Sequence, residues 1–341
     1  MFLQCLSRNI LNTVPKTHID LGRRPRHRRL CRPRGGRPSA EPSTDVAAYP
    51  WRRTNAPTPE GLSALARRTP DGPPPAPAVQ RIRLRYTKRG RLRFTSHRDF
   101  QRALERALRR SAVPMAYSAG FTPHPKISFM NAAPTGAASE AEYVELALSE
   151  RREPELLRSQ LDESLPPGLD VVDAVEAHGK DFMERLQASC WQLVLDGVEA
   201  DTARAAVAAF LAQDEVTVER QTKNGLRTFD ARGAVITLDV VDPQVDAGAL
   251  ALPESTTDIL AGRACAILRL VVRHATPAVR PDDVLTGLRV TADLALPVPA
   301  GVTRLAQGPL DEETGAVTDP FAPDRDAALA LTPEATEPQH A

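Results

Sequence analysis

The sequence predicts an α+β fold, on three observations. Apolar and basic residues alternate strictly over 81–86, apolar residues recur at helical spacing over 100–108, and a similar succession of strand and helix patterns begins again near residue 186. In the first strand Ile82, Leu84 and Tyr86 share one face and Arg81, Arg83 and Arg85 the other. Lys88-Arg89-Gly90 reads as a turn or bulge, after which Leu92 and Phe94 resume the apolar face. A strand of this kind is half buried and offers its basic side to something negative. Ser96, with Asp99 three residues on, resembles a capping box and starts a helix. Phe100, Ala103, Leu104, Ala107 and Leu108 fall on one face of it, and Arg98, Arg102, Glu105, Arg106 and Arg109 on the other. A strand "KISFMNA", a Pro/Gly-containing loop, a strand "AEYVELALS", a helix "PELLRSQLDESLPPG" stopped by Pro166-Pro167-Gly168, and a strand "LDVVDAVEA" complete the first unit.

The order β-α-β-β-α-β is the ferredoxin-like arrangement, an antiparallel four-stranded sheet with two helices on one face. In the second run "SCWQLVLDG" reads as a strand, "DTARAAVAAFLAQ" as a helix, "EVTVERQT" and "AILRLVVRH" as strands, and "RPDDVLTGL" as a short helix with Pro at its start. The expectation is therefore two tandem ferredoxin-like units, 80–177 and 186–306, the second carrying an insertion over 222–260 that includes an Asn224-Gly225 turn and the apolar stretch "AVITLDVV". A basic, Pro-rich leader over 1–79 and an acidic tail over 307–341 read as disordered.

The formal net charge of +1 conceals segregation of charge. Twelve basic residues face two acids over 81–110, whereas two basic residues face eight acids over 301–341. The four cysteines, Cys5, Cys31, Cys190 and Cys265, show no C-x-x-C spacing, so neither a zinc site nor a cluster is read from them, and Cys190 and Cys265 read as inert buried residues. No apolar run reaches the roughly 18 residues of a membrane span. A cytoplasmic protein without metal of its own is the expectation. The Arg-rich, acid-poor first 40 residues resemble a transit peptide in composition, and read equally as sequence without selected function.

Two features carry candidate chemistry. Clustered arginines on adjacent elements can neutralise phosphates. The bland alternative is that they pair with Glu142, Glu145 and the acidic tail. The second feature is "YSAGFTPHPKISF", 117–129, where Pro123 and Pro125 hold Thr122 and His124 out of the helical region and so stiffen the loop. Arg91, Arg93, Arg98, Arg102 and Arg106 are the expected phosphate contacts, with Tyr117, Phe121, His124 and Lys126 shaping a substrate pocket. His97 and His124 are candidates for acid–base catalysis, since imidazole titrates near neutrality. A capping role for His97 and a loop hydrogen bond for His124 are the structural alternatives.

The stretch "TKRGRLRFTSHRDFQRALERALRRSAVPMAYSAGFTPHPKISF", with "GAASEAEYVELAL" and "RPDDVL", resembles the radical-SAM-linked protein family, a bacterial domain of unknown function. The resemblance covers roughly 80–310 and is most specific over 87–148. It implies a domain that is fused in many bacteria to a B12-binding-type radical S-adenosylmethionine enzyme, stands alone in others, and often lies beside genes for ribonuclease E/G. A radical enzyme holds its [4Fe–4S] cluster with C-x-x-x-C-x-x-C, a spacing this chain lacks, so cluster and S-adenosylmethionine are expected in a separate partner. The resulting expectation is a non-enzymatic accessory protein that binds RNA or presents substrate to that enzyme, in RNA modification. Two alternatives stand beside it: a metal-independent nuclease using His97 or His124, and a pure protein-docking module.

Overall fold

The computed structural model describes residues 74–223, 225–241 and 264–331. The leader through residue 73, Asn224 of the expected turn, residues 242–263, which take in the second half of the expected insertion, and the tail from 332 lie outside the described residues.

In the first half β1 (Gln80–Lys88), α1 (His97–Arg110), β2 (Ile127–Met130), β3 (Ala138–Leu148), α2 (Pro154–Ser164) and β4 (Val171–Glu176) follow in order. Strand β1 pairs antiparallel with both β3 and β4, and β2 pairs antiparallel with β3. The strand order is thus β4-β1-β3-β2. Ile82, Leu84 and Tyr86 pack against Phe100, Leu104 and Leu108 of α1 and Leu157 and Leu161 of α2. Each helix thereby buries the apolar stripe that its sequence spacing marks out.

After a short helix α3 (Phe182–Arg185), the second half comprises β5 (Ala188–Asp196), α4 (Ala200–Leu211), β6 (Thr217–Thr222), β7 (Gly225–Asp230), β8 (Val235–Val241), β9 (Cys265–Arg273), α5 (Pro281–Ala292) and β10 (Gly301–Gly308). Its antiparallel order is β10-β5-β9-β8. A parallel contact of β10 with the N-terminal end of β3 joins the halves, so that the strands form one eight-stranded sheet and not two separate ones. The α+β class is as expected. Trp191, Leu193, Leu268 and Leu270 pack with Phe210 of α4 and Val284 and Leu288 of α5 in the larger of the cores.

Four expectations are corrected. Strand β6 belongs to a two-stranded hairpin with β7, and "AVITLDVV", placed in an insertion by its sequence context, supplies β8 of the main sheet. Leu92 and Phe94 lie in a 3-10 turn, Gly90–Phe94, which starts at Gly90 with φ +53° and leaves Phe94 58% exposed. Strand β10 has no counterpart among the expected elements, and its buried side chains Arg304 and Gln307 are polar because they meet Glu142 and the Ala141 carbonyl of β3. The chain from 309 to 331 is ordered as well: after a bridge between Leu310 and Val317, α6 (Ala322–Leu331) docks on the sheet. Phe321, at the entry to α6, packs with Tyr143 and Phe182 on the face opposite α1 and α2.

Candidate nucleic-acid interface

The arginines of 81–110 divide into two populations. Those on β1 each have a carboxylate of the same chain beside them, Arg83 buried and Arg81 and Arg85 partly exposed. Arg83 is 1% exposed and donates to Glu145 at 3.0 Å and to both carboxylate oxygens of the fully buried Asp324 at 2.7 Å. Arg185 of α3 and the backbone N–H of His178 also donate to Asp324. Arg81 pairs with Glu145, Arg85 lies near Asp173, and Arg89, at the strand end, pairs with Glu140 and Asp170. The expectation that this strand offers its basic side to an external anion is corrected at Arg83, which is buried and paired; Arg81 and Arg85 stay partly exposed with carboxylate neighbours. The acid it serves comes from β3, β4 and the chain's own C-terminal helix.

The arginines beyond the strand are different. Arg91 and Arg93 lie exposed on the 3-10 turn, and Arg98, Arg106 and Arg109 on the outer face of α1. Among the described residues none of these five has a carboxylate partner within ion-pair distance, and Arg102 makes only a 3.7 Å contact with exposed Asp99. At 100° per residue, Arg98, Arg102 and Arg109 fall within an arc of roughly 40° on α1. The helix is started by Ser96, whose hydroxyl oxygen accepts from the Asp99 N–H and whose O–H donates to the Asp99 carboxylate. His97 does not cap. Its ring meets Phe129 of β2 edge to face at a centroid distance of 4.6 Å.

The loop 117–126 is closed by its own backbone. The N–H of Ser118 donates to the His124 carbonyl at 2.9 Å, the N–H of His124 donates to the Ser118 hydroxyl at 3.0 Å, and the N–H of Lys126 donates to the Ala116 carbonyl at 2.8 Å. These bonds tie the loop's two ends together beside β3, where the N–H of Ala147 bonds the Lys126 carbonyl. Gly120, with φ +145°, turns the chain at the tip. Phe121 there is 71% exposed and Tyr117 40%. An exposed aromatic pair on a loop stiffened by two prolines is costly to hydrate and cheap to order on binding.

Two clefts flank this loop. One, of about 340 Å³, lies between the loop and the end of the sheet and is lined by Arg81, Ser118, His124, Lys126, Ser128 and Glu145. The other, of about 350 Å³, lies between the loop and α1 and is lined by Glu105, Leu108, Arg109, Met115, Tyr117 and His124. His124 lines both clefts and His97 neither; no hydrogen bond or ring contact joins the two histidines. The structure thus brings together Tyr117, His124 and the C-terminal part of α1, with Lys126 on the far side of the loop. Arg91 and Arg93 lie on a different element, tied to the β2–β3 loop through the Arg93 carbonyl, which accepts from Gly136 N–H. Glu105, Arg109 and Ser118 line the clefts although the sequence does not single them out as binding residues. The i, i+4 spacing of Glu105 and Arg109 on the outer face of α1 is the signal that points to the first two.

Where the halves join, Arg304 of β10 and Glu142 of β3 form a buried ion pair, with Arg304 also donating to the Asn131 carbonyl at 2.9 Å. The Glu142 carboxylate accepts from the N–H of Ala133 as well. Burial here pushes the Lys88 ammonium below its usual range against the attraction of Glu142, and pushes the Tyr86 hydroxyl well up. Nearby His274 is held between the Leu186 carbonyl and the Ser189 hydroxyl, and burial depresses its pKa. These charges are satisfied within the fold and unite the two halves. Among the described residues no group of three or more His, Cys, Asp or Glu side chains is placed to hold a metal ion. Cys190 and Cys265 are half-buried, not fully buried as expected; desolvation pushes both thiols up, which disfavours the thiolate. No described helix is long and apolar enough to cross a membrane.

Residues 81–281 match the model of a family described as uncharacterised proteins conserved in bacteria (DUF2344). No curated protein matches the chain.

Proposed function

We infer, from the premise that this chain belongs to the DUF2344 family of bacterial proteins, that it is an accessory RNA-binding protein of the cytoplasm. Its task is to present RNA to a radical S-adenosylmethionine enzyme acting in trans. One observation carries the RNA reading: Arg91, Arg93, Arg98, Arg106 and Arg109 are exposed and lack a carboxylate partner among the described residues, and Arg109 lines the cleft beside the aromatic loop 117–126, while the β1 arginines have carboxylate neighbours within the chain. Surface arginines without a counter-charge attract phosphate and release its counterions. Exposed Tyr117 and Phe121 offer faces on which unstacked bases can lie, which favours a single strand over a duplex. We read each half, ordered β4-β1-β3-β2 and β10-β5-β9-β8, as a ferredoxin-like unit. The partner enzyme, with its [4Fe–4S] cluster and S-adenosylmethionine, follows from the resemblance of 87–148 to the radical-SAM-linked proteins, and from the absence of C-x-x-x-C-x-x-C in the sequence.

Crosslinking in cells, followed by sequencing of the bound RNA, tests this reading by comparing the full chain with Arg98→Ala/Arg102→Ala. A discrete RNA set that the double substitution depletes, with the radical enzyme co-purifying, is the expected result. Recovery of the enzyme with no RNA above background overturns the RNA reading in favour of a protein-docking module.

A further inference from the structure

Glu105 and Arg109 stand four residues apart in the order that favours a helical ion pair. They nevertheless do not pair, and both line the cleft of about 350 Å³ between α1 and the loop 117–126. One oxygen of Glu105 accepts from Gln101 Nε2 at 3.0 Å, and the guanidinium of Arg109 has no carboxylate partner among the described residues. The volume lies at the small end of ligand-sized cavities, about 300–1,000 Å³. The walls beside the charged pair are apolar or aromatic: Leu108, Val113, Met115, Tyr117 and Pro123. The site therefore has apolar and aromatic walls together with an anionic acceptor and a cationic donor one helical turn apart.

We propose that this cleft takes one unstacked guanine of the bound RNA strand, read along its Watson–Crick edge by Glu105 and Arg109. The proposal rests on the RNA-binding reading above. Its specificity follows from the order of groups on each base. Guanine presents two adjacent donors, N1–H and the N2 amino group, followed by the O6 acceptor. A carboxylate accepts from the two donors and the neighbouring guanidinium donates to O6. Adenine sets an acceptor, N1, beside its single amino group and has no acceptor at position 6. Cytosine offers an amino group next to two acceptors. Uracil turns its O2 towards the carboxylate and supplies a single donor. For each of these three bases at least one acceptor of the base faces Glu105 or one charge of the pair goes unused, and a charge that the base screens from water without offering it a partner is costly. Tyr117 supplies a face for the ring, and the closed backbone of the loop holds that face in place before binding.

The experiment is fluorescence anisotropy of the full chain with labelled 12-residue oligouridylates carrying one central guanosine, inosine, adenosine or uridine. The guanosine strand is expected to bind about tenfold or more tightly than the adenosine and uridine strands, the range of one well-formed bidentate base contact. Inosine, which lacks the N2 amino group, should fall between. Glu105→Gln keeps the acceptor to Gln101 and removes the charge, so it should reduce the guanosine preference to near onefold while retaining binding of the uridine strand. Equal affinity for all four strands, still weakened by Arg98→Ala/Arg102→Ala, overturns the guanine site and leaves RNA binding standing. Absence of binding to every strand overturns both.

Discussion

At the scale of single residues, the deciding fact is where each arginine finds its negative charge. Arg83 and Arg185 both donate to Asp324, whose carboxylate has no contact with water. Replacing Asp324 by Asn should leave two buried cations short of a counter-charge and destabilise the protein by about 3 kcal/mol, the usual result of breaking a buried pair from one side; equilibrium urea unfolding measures it. His274 makes a second prediction. Burial, opposed by the hydrogen bond to Leu186 and aided by the Arg304 charge, lowers its folded-state pKa below the ordinary 6.5. A histidine held neutral binds fewer protons folded than unfolded, so its contribution is present above pH 6.5 and lost as pH falls towards the depressed value. The melting temperature of His274→Asn should accordingly fall less than that of the wild type between pH 7.5 and 5.5; parallel falls would show that His274 is not the titrating group. From sequence alone, Arg83 and Arg98 look equivalent, since both are arginines opposite an apolar face. What separates them is Asp324, 241 residues away from Arg83, and no local pattern encodes that meeting.

At the scale of elements, α1 and the proline-bounded loop act as one unit, and each is legible in the sequence for a physical reason. The helix shows its apolar stripe and its N-cap in adjacent residues, and the loop shows its stiffness in two prolines. The closing hydrogen bonds from Ser118 are not legible, because a serine hydroxyl has many local partners open to it. Ser118→Ala should loosen the loop and weaken single-stranded RNA binding severalfold with little change in melting temperature, as read by anisotropy and thermal unfolding. Elsewhere the helices α4 and α5 cross closely at Gly287, where a Cβ would come within 2.6 Å of the Phe210 ring. Gly287→Ala should thus destabilise by roughly 1–3 kcal/mol through overpacking, despite the better helix propensity of alanine; an unchanged denaturation midpoint would contradict this packing. Strands with a period-2 apolar pattern such as β1 and β3 are readable. Strand β10 is not, because Arg304 and Gln307 are buried polar residues whose partners, Glu142 and the Ala141 carbonyl, lie across the junction on β3.

At the scale of the whole molecule, two halves share one eight-stranded sheet, and the C-terminal helix docks under the first half. The acidic composition of 307–341 reads as a solvated tail, yet within it Phe321 packs against Tyr143 and Asp324 accepts from Arg83 of β1. Composition averages over a segment, whereas docking depends on one buried aromatic and one buried carboxylate. The consequence for function is selective. With the β1 arginines given carboxylate neighbours within the chain, the exposed arginines of 81–110 that lack one among the described residues lie on α1 and the 3-10 turn, and Arg109 at the end of α1 lines the cleft beside the aromatic loop.

The salt dependence of single-stranded RNA binding tests this division of charge most directly. The logarithm of the binding constant should fall linearly with the logarithm of salt concentration, and Arg98→Ala/Arg102→Ala should both weaken binding and reduce the slope by about 1.4, or ~0.7 for each phosphate that is no longer neutralised. Arg89→Ala, which removes an arginine already neutralised by Glu140 and Asp170, should leave the slope unchanged. Equal slopes for the wild type and the Arg98/Arg102 variant, or a slope lowered as much by Arg89→Ala, would contradict the account.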